Sequence, residues 1–211
     1  MRLYDYAASG NCYKVRLLLA LLGRSYERVP VDIFAGDTLT DAFAALNPAR
    51  TTPVPELEEG EALAESAAIL WYLAEDTAFL PDDRLQRARV LRWLCFERAL
   101  TPAVAGARFQ VMTGRTDGET RLLLENGRQA LRTLERRLTG REWVAVETTP
   151  TIADLALFGY THVAGDAGFD IDAHQAICAW LNRVRALPGY MNDLVPYPPN
   201  ALPGAGRSIY D

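Results

Sequence analysis

The sequence is poor in the residues that bind metals or form disulfides. Three cysteines, Cys12, Cys95 and Cys178, lie far apart along 211 residues. An odd, scattered set favours free thiols in a reducing cytoplasm over a disulfide framework. The two histidines, His162 and His174, have no close histidine or cysteine neighbour, so the spacing of a structural zinc site is missing and no metal is expected. No apolar run reaches the roughly 18 residues of a membrane span. Basic residues are outnumbered 22 to 27, giving a formal net charge of -5, which argues against nucleic acid or an anionic membrane as the main partner. The start, MRLYDYAASG, lacks the apolar core and small-residue cleavage site of a signal peptide and reads as a strand. There is no internal repeat and no low-complexity segment. What remains is a chain with ordinary globular composition, long enough to bury a real core.

The first 75 or so residues alternate short strands and helices. Residues 2–6 and 26–31 read as strands. Between them, Asn11 to Leu22 places Val15, Leu18, Leu19 and Leu22 at helical spacing, with Gly23 as the stop. Thr40 to Leu46 reads as a short helix ended by Asn47-Pro48, because the residue before proline avoids the helical region. Strands are expected near 54–57 and 61–64, then a helix from Ser66 to about Glu75. Beyond the linker-like TAFLPDD at 77–83, every periodic segment is helical: Leu85 to Thr113, Glu119 to Leu138, Thr151 to Gly165 and Ala173 to Leu187. The first of these is apolar around much of its circumference, which suits burial on more than one side. The tail from Pro188 is rich in proline and glycine and reads as irregular.

The most informative run is TTPVPELEEGEALAES, from Thr51 to Ser66. It sets a proline pair at a strand start, a turn at Glu59-Gly60, a second short strand, and a Glu65-Ser66 pair where a helix begins. A strand backbone beside a helix N-terminus offers main-chain partners and partial positive charge to a small ligand bearing a carboxylate. Later in the chain, Thr151 and Asp154 have the spacing of a capping box, a folding device.

Four motifs together give the chain a family resemblance: SGNCYKVRLLLALLG (9–23), NPARTTPVPEL (47–57), LAESAAILWYLAE (63–75) and TPTIADLALFGY (149–160). In these places, and at mutually consistent spacing over most of the chain, they resemble the cytosolic glutathione S-transferases, in particular bacterial serine- or asparagine-type members. The resemblance implies a thioredoxin-like α/β N-terminal domain over 1–77 and an all-α C-terminal domain over 85–211. It also implies glutathione as co-substrate, an electrophilic small molecule as second substrate, and a homodimer.

The same resemblance suggests roles for individual residues. Ser9 stands five positions before Lys14-Val15, as the activating serine does in serine-type members. A hydroxyl donor beside a helix N-terminus would favour a bound thiolate, each unit of pKa lowering being worth about 1.4 kcal/mol. Asn11 is a second candidate for holding the sulfur, and both residues could equally serve only as helix caps. Cysteine-type relatives carry their reactive cysteine at the place of Ser9, so Cys12 is read as packing, as are Tyr4 and Tyr6. The family's cis-proline spacing selects Pro53, with Thr52 presenting its backbone to the cysteinyl part of glutathione as an added strand. Glu65 and Ser66 would hold the γ-glutamyl ammonium and carboxylate, and Arg50 is a candidate for the glycyl carboxylate. Arg108 and Phe109 are candidates for lining the second-substrate site. The expected activity is conjugation of glutathione to an electrophile. The alternatives are glutathione-dependent isomerisation of the maleylacetoacetate type and a non-catalytic glutathione-binding protein on the same fold.

Overall fold

The computed structural model describes residues 1–58, 60–115 and 118–209. Three short strands, β1 (Arg2–Asp5), β2 (Glu27–Pro30) and β3 (Val54–Glu56), form a sheet in the order β2-β1-β3. β1 runs parallel to β2, with Tyr4 opposite Val29, and antiparallel to β3, with Tyr4 opposite Val54. Helices α1 (Gly10–Leu21), α2 (Asp41–Leu46) and α3 (Ser66–Ala74) complete this unit. The second strand expected after Thr51 is reduced to a single bridge between Glu56 and Ala62. Pro53 and Pro55 have no N–H to give, which leaves little ladder to build there. Glu59, half of the expected turn, lies outside the described residues; its partner Gly60 takes φ 77°.

Alternation along β1 explains the layering. Leu3 joins the main core against α1 and α3, while Tyr4 on the opposite face meets Phe43 of α2 edge-on at 6.2 Å. The apolar stripe expected on α1 understates its burial. Lys14 and Arg16 are also buried, because the helix lies between the sheet, α3 and a helix of the second unit. Such charges need partners. Arg16 finds Asp5 at 2.5 Å and Asp193 at 2.8 Å, the latter reaching in from the C-terminal tail.

The rest of the fold is helical: α4 (Arg84–Met112), α5 (Gly118–Leu138), α6 (Ile152–Thr161) and α7 (Gln175–Arg185). The 29-residue α4 buries one stripe through Val90, Trp93, Leu94, Glu97, Leu100, Val104 and Ala107. This corrects the expectation of burial on several sides, since Leu85, Leu91 and Cys95 face solvent in the single chain. All ten residues of α6 are buried. Its capping box is present: Asp154 Oδ2 accepts from the Thr151 N–H at 2.9 Å, and its Oδ1 accepts from the Val144 N–H and from Trp180 Nε1. Burial raises the Asp154 pKa, an effect these donors partly offset.

α1 and α6 touch at a pair of glycines. A Cβ on Gly10 would sit 2.7 Å from the Gly159 carbonyl oxygen, and one on Gly159 would sit 2.5 Å from Lys14 Cγ. Only glycine allows this approach, which carries the start of α1 up to Tyr160. No described helix is long and apolar enough to cross a membrane.

Candidate active site

A cleft of about 700 Å³ opens where the β1–α1 turn, the loop before β3 and the start of α3 face α4. Ser9, Asn11, Arg50, Thr52, Pro53, Glu65, Ser66 and Phe109 all line it. Arg108 does not. Adjacent helical positions point in different directions, and Arg108 is buried behind the wall, with Nε donating to Asp166 Oδ2 at 2.9 Å and the guanidinium 4.9 Å from the Tyr197 ring.

Ser9 is the N-cap of α1, its hydroxyl oxygen accepting from the Cys12 N–H at 3.3 Å. A capping oxygen still owns a proton, so capping and donation to a bound sulfur are compatible roles. Tyr160 lines the cleft as well, and burial raises its pKa, keeping the phenol protonated. Two residues on, Asn11 Oδ1 is buried without a hydrogen-bond partner. The first turn of α1 carries no acidic residue to oppose an anion. Cys12 is fully buried, its sulfur accepting from the Tyr6 N–H at 3.4 Å, and burial pushes its pKa up to about 11. It therefore stays a thiol at neutral pH and packs, rather than reacting.

The opposite end of the cleft is formed by the loop before β3 and the start of α3. The Thr52-Pro53 bond is cis. Glu65 precedes α3 at φ 68°, ψ 110°, a region costing a non-glycine residue on the order of 1–3 kcal/mol. Ser66 is the first residue of α3, where backbone N–H groups lack intrahelical partners. Behind it, Lys14 Nζ donates to Ser66 Oγ at 3.4 Å and to Glu97 Oε1 of α4 at 2.5 Å. With its oxygen accepting from an ammonium, the Ser66 hydroxyl has its own proton to give towards the cleft. Arg50, at φ 55°, gives Nη1 to the carbonyls of Thr38 and Thr40, at 2.9 and 3.1 Å, which anchors it to the preceding loop.

The remaining wall was not foreseen. Tyr6, read from the sequence as packing, faces the cleft together with Phe34, Thr101, Arg115, Tyr160 and Tyr197. The Phe34 and Phe109 rings stack at 5.7 Å, with Tyr6 edge-on to Phe34 and Tyr197 edge-on to Phe109. The tail is held there by Asn200 Nδ2 donating to Asp32 and by the Arg207 N–H donating to the Phe34 carbonyl. Lys14 alone carried a visible signal, as a basic residue at fixed distance from Ser9. The described residues contain no group of histidine, cysteine or acidic side chains able to hold a metal ion.

A thioredoxin-like unit packed on a helical one, with a cleft of polar and aromatic side chains at their junction, defines a class of small-molecule enzymes and binding proteins. Residues 8–76 match the family model for the glutathione S-transferase N-terminal domain, and residues 116–188 that for the C-terminal domain. A maleylacetoacetate isomerase of Rhizobium meliloti is 34% identical over 196 residues, covering 84% of this chain and 87% of that protein. The match to the Pseudomonas aeruginosa maleylacetoacetate isomerase is 42% identical but confined to 94 residues, 42% of this chain and 44% of that one. The crystal structure of a Pseudomonas fluorescens glutathione S-transferase superposes with a TM-score of 0.87 at 42% identity, covering 92% of this chain and 98% of the other. The chain belongs to the glutathione S-transferase family.

Proposed function

We propose that this protein is a glutathione transferase of the serine/asparagine type, which binds glutathione, stabilises its thiolate and conjugates it to an electrophilic small molecule. The observation that carries this reading is the convergence of Ser9, Asn11, Thr52, Pro53, Glu65 and Ser66 on one cleft. Glutathione would lie along the Thr52-Pro53 backbone, with its γ-glutamyl carboxylate at Ser66 and its ammonium near Glu65. Its glycyl end would lie towards Arg50, and its sulfur would meet Ser9 and Asn11 at the positive end of α1. Catalysis is then positioning plus electrostatic stabilisation of sulfur by neutral donors. The buried Lys14–Glu97 pair acts through Ser66, turning its proton towards the carboxylate. Phe109 serves the electrophile, and Arg108 supports that wall from behind.

A homodimer is part of this proposal, with the exposed Tyr72, Leu91 and Cys95 as apolar surface for a second copy. Three free cysteines fit a reducing cytoplasm. The likeness to proteins named maleylacetoacetate isomerase favours a second reading, glutathione-dependent isomerisation. The test is retention on immobilised glutathione together with turnover of a generic chloronitroaromatic. Retention and consumption of glutathione support transfer. Retention, with isomerisation of a cis-enone diacid and no net loss of glutathione, supports the isomerase. Retention with neither reaction supports a binding protein, and failure to bind glutathione removes all three.

A further inference from the structure

Arg108 lies behind the cleft wall, yet it bonds the turn that carries Ser9. Its Nη1 donates to the Ala8 carbonyl at 3.5 Å, and its Nε donates to Asp166 Oδ2 at 2.9 Å. Asp166 sits on the short helical turn Ala164–Ala167 that follows α6. The pair is lopsided, with the Arg108 side chain 3% exposed and that of Asp166 41%. Water screens the carboxylate, while the guanidinium faces the interior, where a charge acts over a longer range. The Ala8 carbonyl is turned to the same cation, which offsets the negative end of its dipole.

The other charges around this end of the cleft are matched close by. Lys14 is paired with Glu97, and Asp5 is held between Arg16 and Arg28. Arg16 gives Nη2 to the Ala7 carbonyl, but two carboxylates, Asp5 and Asp193, neutralise it. Asp32 accepts from the Phe34 and Ala35 N–H groups and from Asn200 Nδ2. Arg115, past the end of α4, rests on the Phe109 ring and gives Nη1 to the Ala201 carbonyl. Among the described residues, the one carboxylate within ion-pair distance of Arg108 is the half-exposed Asp166.

From this geometry we propose that Arg108 is a positioning residue for the sulfur. It fixes the Ala8–Ser9 turn and sets a buried positive charge behind it, which favours the bound thiolate over the thiol. The inference rests on the glutathione-binding reading above and adds a residue to it. Burial raises the pKa of Tyr6 and Tyr160, two cleft-lining residues, and the Arg108 charge opposes that rise at both. A sulfur held at Ser9 would lie in the same field. Arg108 touches no reacting atom, and the glutathione proton leaves to water. The neutral donors of Ser9 and Asn11 then act on a sulfur already biased towards its anion.

The test reads the thiol pKa of bound glutathione, by ultraviolet titration, in Arg108→Met, Arg108→Lys and Asp166→Asn. Loss of the charge in Arg108→Met should raise that pKa by about one unit. Lysine keeps the charge and should hold the value within about 0.3 unit of wild type. Asp166→Asn keeps an acceptor for Arg108 but removes the opposing charge, so the pKa should fall, by about half a unit. Loosened packing alone would move the methionine and asparagine variants in the same direction, so opposite signs separate charge from structure. An asparagine variant with a raised pKa overturns the proposal, as does a methionine variant within about 0.3 unit of wild type. Should Arg108→Met fail to fold, the sign in Asp166→Asn decides. A wild type that does not bind glutathione removes the proposal together with its parent reading, whereas binding with the wrong sign in the variants removes the proposal alone.

Discussion

The two walls of the cleft are built differently. The sheet-side wall presents helix starts and a strand edge: Ser9 caps α1, Ser66 opens α3, and Thr52-Pro53 leads into β3. Each of these depends on neighbours within a few positions in sequence. The aromatic wall gathers Tyr6 and Phe34 from the α/β unit with Phe109, Tyr160 and Tyr197 from α4, α6 and the tail, and their meeting depends on how these segments pack. The first wall suits a constant ligand held by the backbone. The second can change with a single side chain, which is where discrimination among electrophiles would lie.

The sharpest way to break this comparison is to loosen the helical side from within. Asp154→Ala strands the Val144 and Thr151 N–H groups and the Trp180 indole N–H in the core. At about 1–3 kcal/mol for each unsatisfied donor, the expected loss is about 4 kcal/mol, read as a lower denaturant midpoint. A loss under about 1 kcal/mol would mean that the capping network does not hold the helical side.

Next in size is a pH effect at the junction. His162 stacks on Phe158 at 4.7 Å and lies 4.8 Å from Tyr13 of α1, with Nδ1 donating to the Phe158 carbonyl. Burial lowers its pKa from 6.5 to about 4. The unfolded chain then binds a proton that the folded one refuses, so this contribution is complete above pH 6.5 and is lost as pH falls towards 4. The loss approaches about 3 kcal/mol. In His162→Phe the stability curve should flatten across that window, and an unchanged slope would assign the effect to other groups.

On the sheet side, Ser9→Ala should lower kcat/KM with a chloronitroaromatic about 100-fold, or about 2.7 kcal/mol, and raise the pKa of bound glutathione in an ultraviolet thiolate titration. An unaltered rate would hand the sulfur to Asn11. The smallest expected change comes from replacing the buried pair together, Lys14→Met with Glu97→Met. Exchanging both charges for apolar groups leaves no unpaired ion and should preserve the fold. Glutathione Kd should rise about tenfold, with kcat changed less. An unaltered Kd would reduce the pair to a packing role.

Legibility follows the same division. Helices α1 to α7 lie within a few residues of where apolar periodicity and stop signals placed them, because those signals are local. The strand near 61–64 shrank to one bridge, since pairing depends on how many donors the facing edge retains and prolines remove them. Tyr6 read as packing because alternation along residues 2–6 does not say whether a side chain joins the core or the wall of a cleft. Arg108 and Phe109 looked equivalent as neighbours on one helix, and only the packing of α4 decided which reaches the cavity.

The sequence by itself determined where helices begin and end, and so where unpaired N–H groups and capping hydroxyls would cluster, because those preferences are settled by φ/ψ sterics and a few adjacent side chains. The tertiary structure decided which distant side chains share the cleft. The close approach at Gly10 and Gly159, the Lys14–Glu97 bond between units and the tail laid over Phe34 set distances across the fold, and these arise from packing that no local pattern encodes.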